Sequence, residues 1–446
     1  MKPSISFDDL KRYADSFDSE ARYTLAMNTV TKNGINNSAL TYDAMVRYQH
    51  AFSIDVETGD VCDQQKSGRC WMFASLNVMR LSLMKKLNLP NTELSQSYPF
   101  FYDKLEKSNY FLENILETLE EETGSRVLNH LLADPVGDGG QWDMFRSLVD
   151  KYGAVPKDIY PETASSSNSM ELRRYLTMQL RSFAMQLRRA ASEGTSAEGL
   201  REMKDGMMNK VYRILCISFG KPPVSFTWET RDKDGNFIRI SDITPQDFYK
   251  EYIGWDLDEY VTVINAPTAD KPFNRTFTVR YLGNVRDGRY PVKYLNLPMD
   301  DLRDITIRQL KAGEPVWFGS DAGKFSYRDG GLFTTDAFDI AGLLDIEFPM
   351  NKAERLDYCD SLMNHAMVIT GVDLDDSGKP VRWKVENSWG SEPGRKGYYV
   401  MSDEWFGEYA YQILLNRKYL SPEQSAAFDT DPIVLAPWDP MGSLAL

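Results

Sequence analysis

Apolar residues recur at intervals of three and four through WMFASLNVMRLSLMKKL, directly after Cys70, and the run stops at Asn88 and Pro90. Good helix formers at that spacing predict a buried helix with Cys70 at its N-terminus. The same period appears in pieces from Ser4 to about His50, across most of 95–133, through QWDMFRSLVDKYG, and from Met170 to about Leu215. Each of these stretches predicts helix. Gly137, Gly139 and Gly140 interrupt the pattern before QWDMFRSLVDKYG. They fit either a tight turn or a wall that another backbone approaches closely.

Elsewhere the pattern shortens to alternation or to brief apolar runs. AFSIDV reads as a short strand, and SFTWETRDKDGNFIRISDITP as a hairpin turning at Asp234 and Gly235. NRTFTVRYLGN and GRYPVKYLNL add strand signal before DLRDITIRQLKAG, a helix ended by Gly313. EPVWFGSD, HAMVITGVDLDDSGKPVRWKVENSWG and KGYYVMSDEWFGEYAYQILLNR predict an antiparallel sheet, and the proline-rich ending DTDPIVLAPWDPMGSLAL has no period and reads as an extended arm. The resulting division is an N-terminal extension (1–50) suited to oligomer contact, a helical lobe (51–161), an inserted helical and hairpin region (162–311), a β-rich lobe (312–425) and the arm (426–446).

Composition narrows the class. A chain of 446 residues with 42% hydrophobic and 26% charged residues is globular and large enough for two or three structural units. The net charge of -14 repels phosphate backbones and acidic membranes, so neither nucleic acid nor a membrane is an expected partner. Basic residues between 171 and 213 lie among glutamates, which suits a solvated helix face or a subunit contact. The start, MKPSISFDDLKRYADSF, has no apolar run, and the four cysteines form no repeating framework. Free thiols and a cytoplasmic location follow as expectations. Cys62, Cys216 and Cys359 lack zinc-ligand spacing, and His50 and His130 lie in helical pattern with structural roles.

Cys70 carries the candidate chemistry, because the unpaired amides and dipole of a helix N-terminus favour a thiolate. A cysteine before a helix is weak evidence by itself. The segments QQKSGRCW, HAMVITG and ENSWG, in that order, make the sequence resemble the papain-like cysteine peptidases. The resemblance implies an α+β, two-lobed fold, a helical lobe facing an antiparallel sheet or barrel. It also implies Cys70 as nucleophile, His365 as base and Asn387 as the residue orienting that base. Gln64 falls at the oxyanion-hole glutamine, which acts with the Cys70 N–H; Trp389 matches the shielding tryptophan, and Gly139 and Gly140 the glycines lining the substrate cleft. Trp71 reads as core. Two residues depart from the pattern: Ser67 stands where the family has a disulfide cysteine, and Arg69 replaces a small residue. Cys70 and His365 also lie far beyond the usual spacing of about 130 to 150, which calls for roughly 150 inserted residues.

The insertion, the N-terminal extension and the arm together resemble the bleomycin hydrolase and bacterial aminopeptidase C branch of that family. This branch implies release of N-terminal amino acids from peptides with broad side-chain tolerance, through a thioester acyl-enzyme. It further implies a homohexamer, an arm lying in the cleft with the Leu446 carboxylate receiving a substrate ammonium, and no cofactor beyond a reduced thiol. The competing readings are an endopeptidase or amide hydrolase without tail gating, and a catalytically dead scaffold or nucleic-acid-binding protein.

Overall fold

The computed structural model describes residues 4–445. Its helical lobe is built around the helix Cys70–Leu87, which ends where Asn88 turns left-handed and its N–H bonds back to Met84 and Lys85. Residues on every side of this helix are buried, from Trp71 and Phe73 to Val78 and Leu83. A helix apolar all round has to be enclosed. Strand His365–Leu374 covers one flank, and helix Trp142–Tyr152 covers another.

Helices Ser97–Glu117 and Arg126–Ala133 complete the lobe. The inserted region opens with two antiparallel helices, Met170–Ser192 and Ala197–Phe219, which pack on Ser97–Glu117. Leu172, Leu176, Leu180, Phe183 and Leu187, spaced by three or four, form a stripe that joins the same core as Cys70 and Leu83. These two helices therefore extend the helical lobe's core and build none of their own. The hairpin Phe226–Arg231 and Phe237–Ile243 follows, with Gly235 at φ +84 in its turn, where a side chain would be strained.

One sheet dominates the other lobe. Its order is Ile433–Leu435, Arg275–Val279, Tyr294–Asn296, Tyr260–Ile264, Ala410–Asn416, Val316–Ser320, His365–Leu374, Pro380–Glu386, Tyr398–Ser402, Leu332–Phe333 and Ser326–Tyr327, with Ile54–Asp55 paired to His365–Leu374. The central pairs are antiparallel, as the pattern predicts. Three outer pairs are parallel: Tyr260–Ile264 with Tyr294–Asn296, Ile433–Leu435 with Arg275–Val279, and Tyr398–Ser402 with Leu332–Phe333. Alternation along a strand says which face is buried, but nothing about its partner's direction. The sheet also crosses the boundary near 311, because three of its strands lie between 260 and 296. Helix Met299–Lys311 lays Leu302, Ile305 and Leu310 on the sheet's far face, against Phe318, Ile369 and Ile413.

A buried ionic pin joins the lobes. Glu386, at the end of strand Pro380–Glu386, accepts from Asn77 Nδ2 at 2.8 Å and Arg80 Nη2 at 3.0 Å, both on the Cys70 helix, and from the Thr58 hydroxyl. Arg80 and Glu386 are almost fully enclosed. Removing one member of such a pair leaves the other charge stranded, at about 3–5 kcal/mol. Arg80→Met is expected to lower the unfolding free energy by about 3 kcal/mol. The double variant with Glu386→Gln should recover part of that loss. An unchanged Tm for Arg80→Met would refute the pin.

Candidate active site

Cys70 is the first residue of its helix and is fully buried. Its Sγ accepts from the Ala366 N–H at 3.4 Å, so the thiol sits against the residue following His365. Burial pushes the Cys70 thiol up to about 12, against the pull of the Ala366, Trp71 and Cys70 N–H groups. The sequence predicts a thiol acidified by its helix terminus. In the fold, backbone donors do not by themselves offset desolvation.

His365 begins strand His365–Leu374, opposite Ser320 in strand Val316–Ser320. Asn387 directly follows the neighbouring strand Pro380–Glu386, and its Oδ1 lies 2.8 Å from His365 Nε2. Adjacent antiparallel strands thus bring two residues distant in sequence into contact. A carbonyl oxygen can only accept, so the ring proton is on Nε2. The Ser388 N–H also donates to Asn387 Oδ1, at 2.8 Å, which fixes the amide's orientation. The Trp389 indole stacks on His365, with centroids 4.8 Å apart and planes 27° apart.

Gln64 reaches the site because the loop before Cys70 pairs with the segment after Asn387. The Gln64 N–H donates to Ser388 O at 2.9 Å, and Asp63 forms an antiparallel bridge with Trp389. The Gln64 side chain is clamped at both ends: Nε2 donates to Ser67 O at 2.8 Å, and Oε1 accepts from Ser388 Oγ at 2.6 Å. One amide hydrogen remains for a further acceptor. Ser388 is the residue that sequence reasoning passed over, although it lies inside the quoted ENSWG.

Gly139 and Gly140 lie beside the Cys70 helix. The Trp71 indole donates to Asp138 O at 2.9 Å, and a Cβ on Gly140 would come within 2.5 Å of the Trp71 ring. Glycine is required here by close approach. Lys104 and Lys107 donate to the carbonyls of Val136, Gly137 and Gly139, holding this stretch from behind. Burial alone would raise the Asp138 carboxyl, but the Lys104 ammonium, Ser169 and the Gly68 N–H hold it well below the usual range.

The arm arrives on the open side of Gly140. Gly140 N–H donates to Ala445 O at 3.1 Å, and Ala445 N–H donates back at 3.3 Å. Ser443 Oγ donates to Met363 O at 2.6 Å, and Gln141 Nε2 to Ser443 O at 3.0 Å. Further back, the Lys271 ammonium bridges Asp270 and Asp439 at 2.8 and 2.9 Å. Leu446, the expected carboxylate of the arm, lies outside the described residues.

Residues 4–442 match the family described as Peptidase C1-like. The chain belongs to the Peptidase C1-like family. Within it, the chain is 48% identical over its whole length to aminopeptidase C of Lactobacillus delbrueckii subsp. lactis, covering 99% of that protein. It is 39% identical to bleomycin hydrolase of Homo sapiens, across 96% of each chain. The crystal structure of PepW from Lactobacillus rhamnosis HN001 superposes with a TM-score of 0.98 at 48% identity, covering all of both chains. This match confirms for a Peptidase C1-like chain the two-lobed α+β, papain-like fold that the motifs imply.

Proposed function

We propose that the chain is a cysteine aminopeptidase that releases N-terminal residues from peptides through a thioester. The antiparallel bridge between Gly140 and Ala445 supports this reading, because it pairs the arm with the glycine stretch beside the Cys70 helix as a bound peptide would pair. A cleft occupied on that side accepts only the end of a substrate. The contact is made by backbone, so it reads main chain and tolerates varied side chains.

In the reaction, His365 Nδ1 takes the Cys70 proton, since Nε2 is committed to Asn387. The imidazolium supplies what burial denies the isolated thiol, a compensating positive charge. The thiolate attacks the amide carbon, forming the S–C bond while the carbonyl oxygen takes up negative charge. The Cys70 N–H and the spare Gln64 amide hydrogen receive that charge, each donor being worth about 3 kcal/mol in the transition state. The C–N bond breaks as His365 protonates the departing amine. Water, deprotonated by His365, then cleaves the thioester and restores the thiol. Trp389 covers the His365–Asn387 bond and keeps water from competing for it.

Self-association belongs to the same proposal. Helix Phe7–Asp18 has no buried residue, and Phe7 is 90% exposed, as an unpartnered apolar stripe would be. The homohexamer implied by the family resemblance would cover it. Among the described residues all four cysteines are free thiols, which suits a reducing, cytoplasmic setting.

The test compares kcat/KM on matched peptides with free and acetylated N-termini under reducing conditions. At least a tenfold preference for the free amine is expected. Equal turnover would remove the aminopeptidase reading and leave a cysteine endopeptidase.

A further inference from the structure

Arg69, directly before the nucleophile, has a side chain with 0% exposure, pointing into the helical lobe. Its guanidinium faces the rings of Phe73 and Phe100 at 5.2 and 5.1 Å. Nη1 is paired with Glu162 Oε1 at 2.9 Å, and Nε donates to Ser67 Oγ at 2.8 Å. Ser67 passes the constraint on: its hydroxyl donates to Gln64 O at 2.7 Å, and its carbonyl accepts from Gln64 Nε2. A continuous chain of bonds thus runs from a carboxylate at the start of the inserted region to the amide of Gln64.

We propose that Arg69 is a positioning residue for Gln64: anchored by Glu162, it holds Ser67, and Ser67 holds the glutamine amide where the oxyanion forms. The proposal rests on the reading of Gln64 as an oxyanion donor. It explains how a loop without the family's cysteine at position 67 keeps its shape, since the fork of Arg69, held at Nη1 by Glu162, constrains Ser67 through Nε from inside the lobe. Lysine, with a single ammonium, cannot reproduce the fork. Neighbouring bonds hold the rest of the loop, with Lys66 N–H on Ser167 O at 2.9 Å and Gly68 N–H on Asp138 Oδ2 at 3.3 Å. Arg69 instead bonds Ser67, one of the two residues that clamp the glutamine amide. It neither covers the thiol nor restricts access to it.

A double-mutant cycle separates this role from general support of the fold. Gln64→Ala is expected to lower kcat on a free-amine peptide by about 100-fold. Arg69→Met should lower kcat by at least about tenfold in the wild-type background and by less than about threefold when Gln64→Ala is already present, because the two act as a unit. Alkylation of Cys70 by iodoacetamide, which builds no oxyanion, should change less than about twofold in either variant. Equal losses in both backgrounds, or a parallel fall in alkylation, would overturn the proposal. A Gln64→Ala enzyme with unchanged kcat would instead remove the oxyanion reading beneath it. Should Arg69→Met fail to fold, Glu162→Gln and Arg69→Lys carry the same cycle, with the same non-additivity expected and additivity again decisive against it.

Discussion

Cys70→Ser is expected to reduce kcat/KM on peptides by at least about 10³-fold while leaving the fold intact. Serine replaces the sulfur without adding volume, and Cys70 is already enclosed by helix and strand, so the packing is preserved. What disappears is the nucleophile. A hydroxyl is far less acidic than a thiol, and an imidazole oriented by a neutral asparagine carries no adjacent carboxylate to stabilise the imidazolium that a serine mechanism needs. The measurement pairs steady-state kinetics with thermal unfolding, and Tm should stay within about 2 °C, since only a small ΔΔG is involved. Retained hydrolysis would refute Cys70 as the nucleophile. A biological role that survives without hydrolysis would favour the scaffold reading.

Deleting residues 443–446 should raise kcat/KM on acetylated peptides by at least about tenfold and weaken the preference for a free amine. The deletion removes the Gly140–Ala445 bridge and both Ser443 contacts. It spares the Lys271–Asp439 ion pair and the pairing of Ile433–Leu435 with Arg275–Val279. The arm's root therefore stays in place, and the stability lost is that of a few hydrogen bonds, about 1 kcal/mol each, together with the packing of Leu444 and Ala445 against the core. Cleavage within peptides should appear and can be followed by mass spectrometry. If the truncated protein still refuses acetylated substrates, the arm does not gate the cleft.

The sequence makes some of this legible and hides the rest for identifiable reasons. The helix Cys70–Leu87 can be read from period, propensity and a stop at Asn88, all local properties. His365 and Asn387 fall at strand ends for the same reason. Their contact depends on which strands are neighbours, and alternation does not encode that; family resemblance supplied it. The parallel outer pairs and the strands at 260–296 belong to the same class of long-range fact. Arg69 shows the limit at the level of one side chain. Its letter beside Cys70 leaves open whether it affects access to the thiol, whereas the rotamer that reaches Glu162 and Ser67 turns it inward. Ser388 was in view within its motif, but its clamp on Gln64 exists only once the loop before Cys70 pairs with the segment after Asn387.

Because the arm is part of the same polypeptide as Gly140, its contact there is a matter of effective concentration. A few backbone bonds of about 1 kcal/mol would hold a detached peptide weakly. Rooted at Leu435 and Asp439, Ala445 is confined near Gly140 at an effective concentration in the millimolar range. Dilution of the protein leaves this local concentration unchanged, and under the proposed function a substrate peptide would either bind beside the arm or compete with a ligand that never diffuses away.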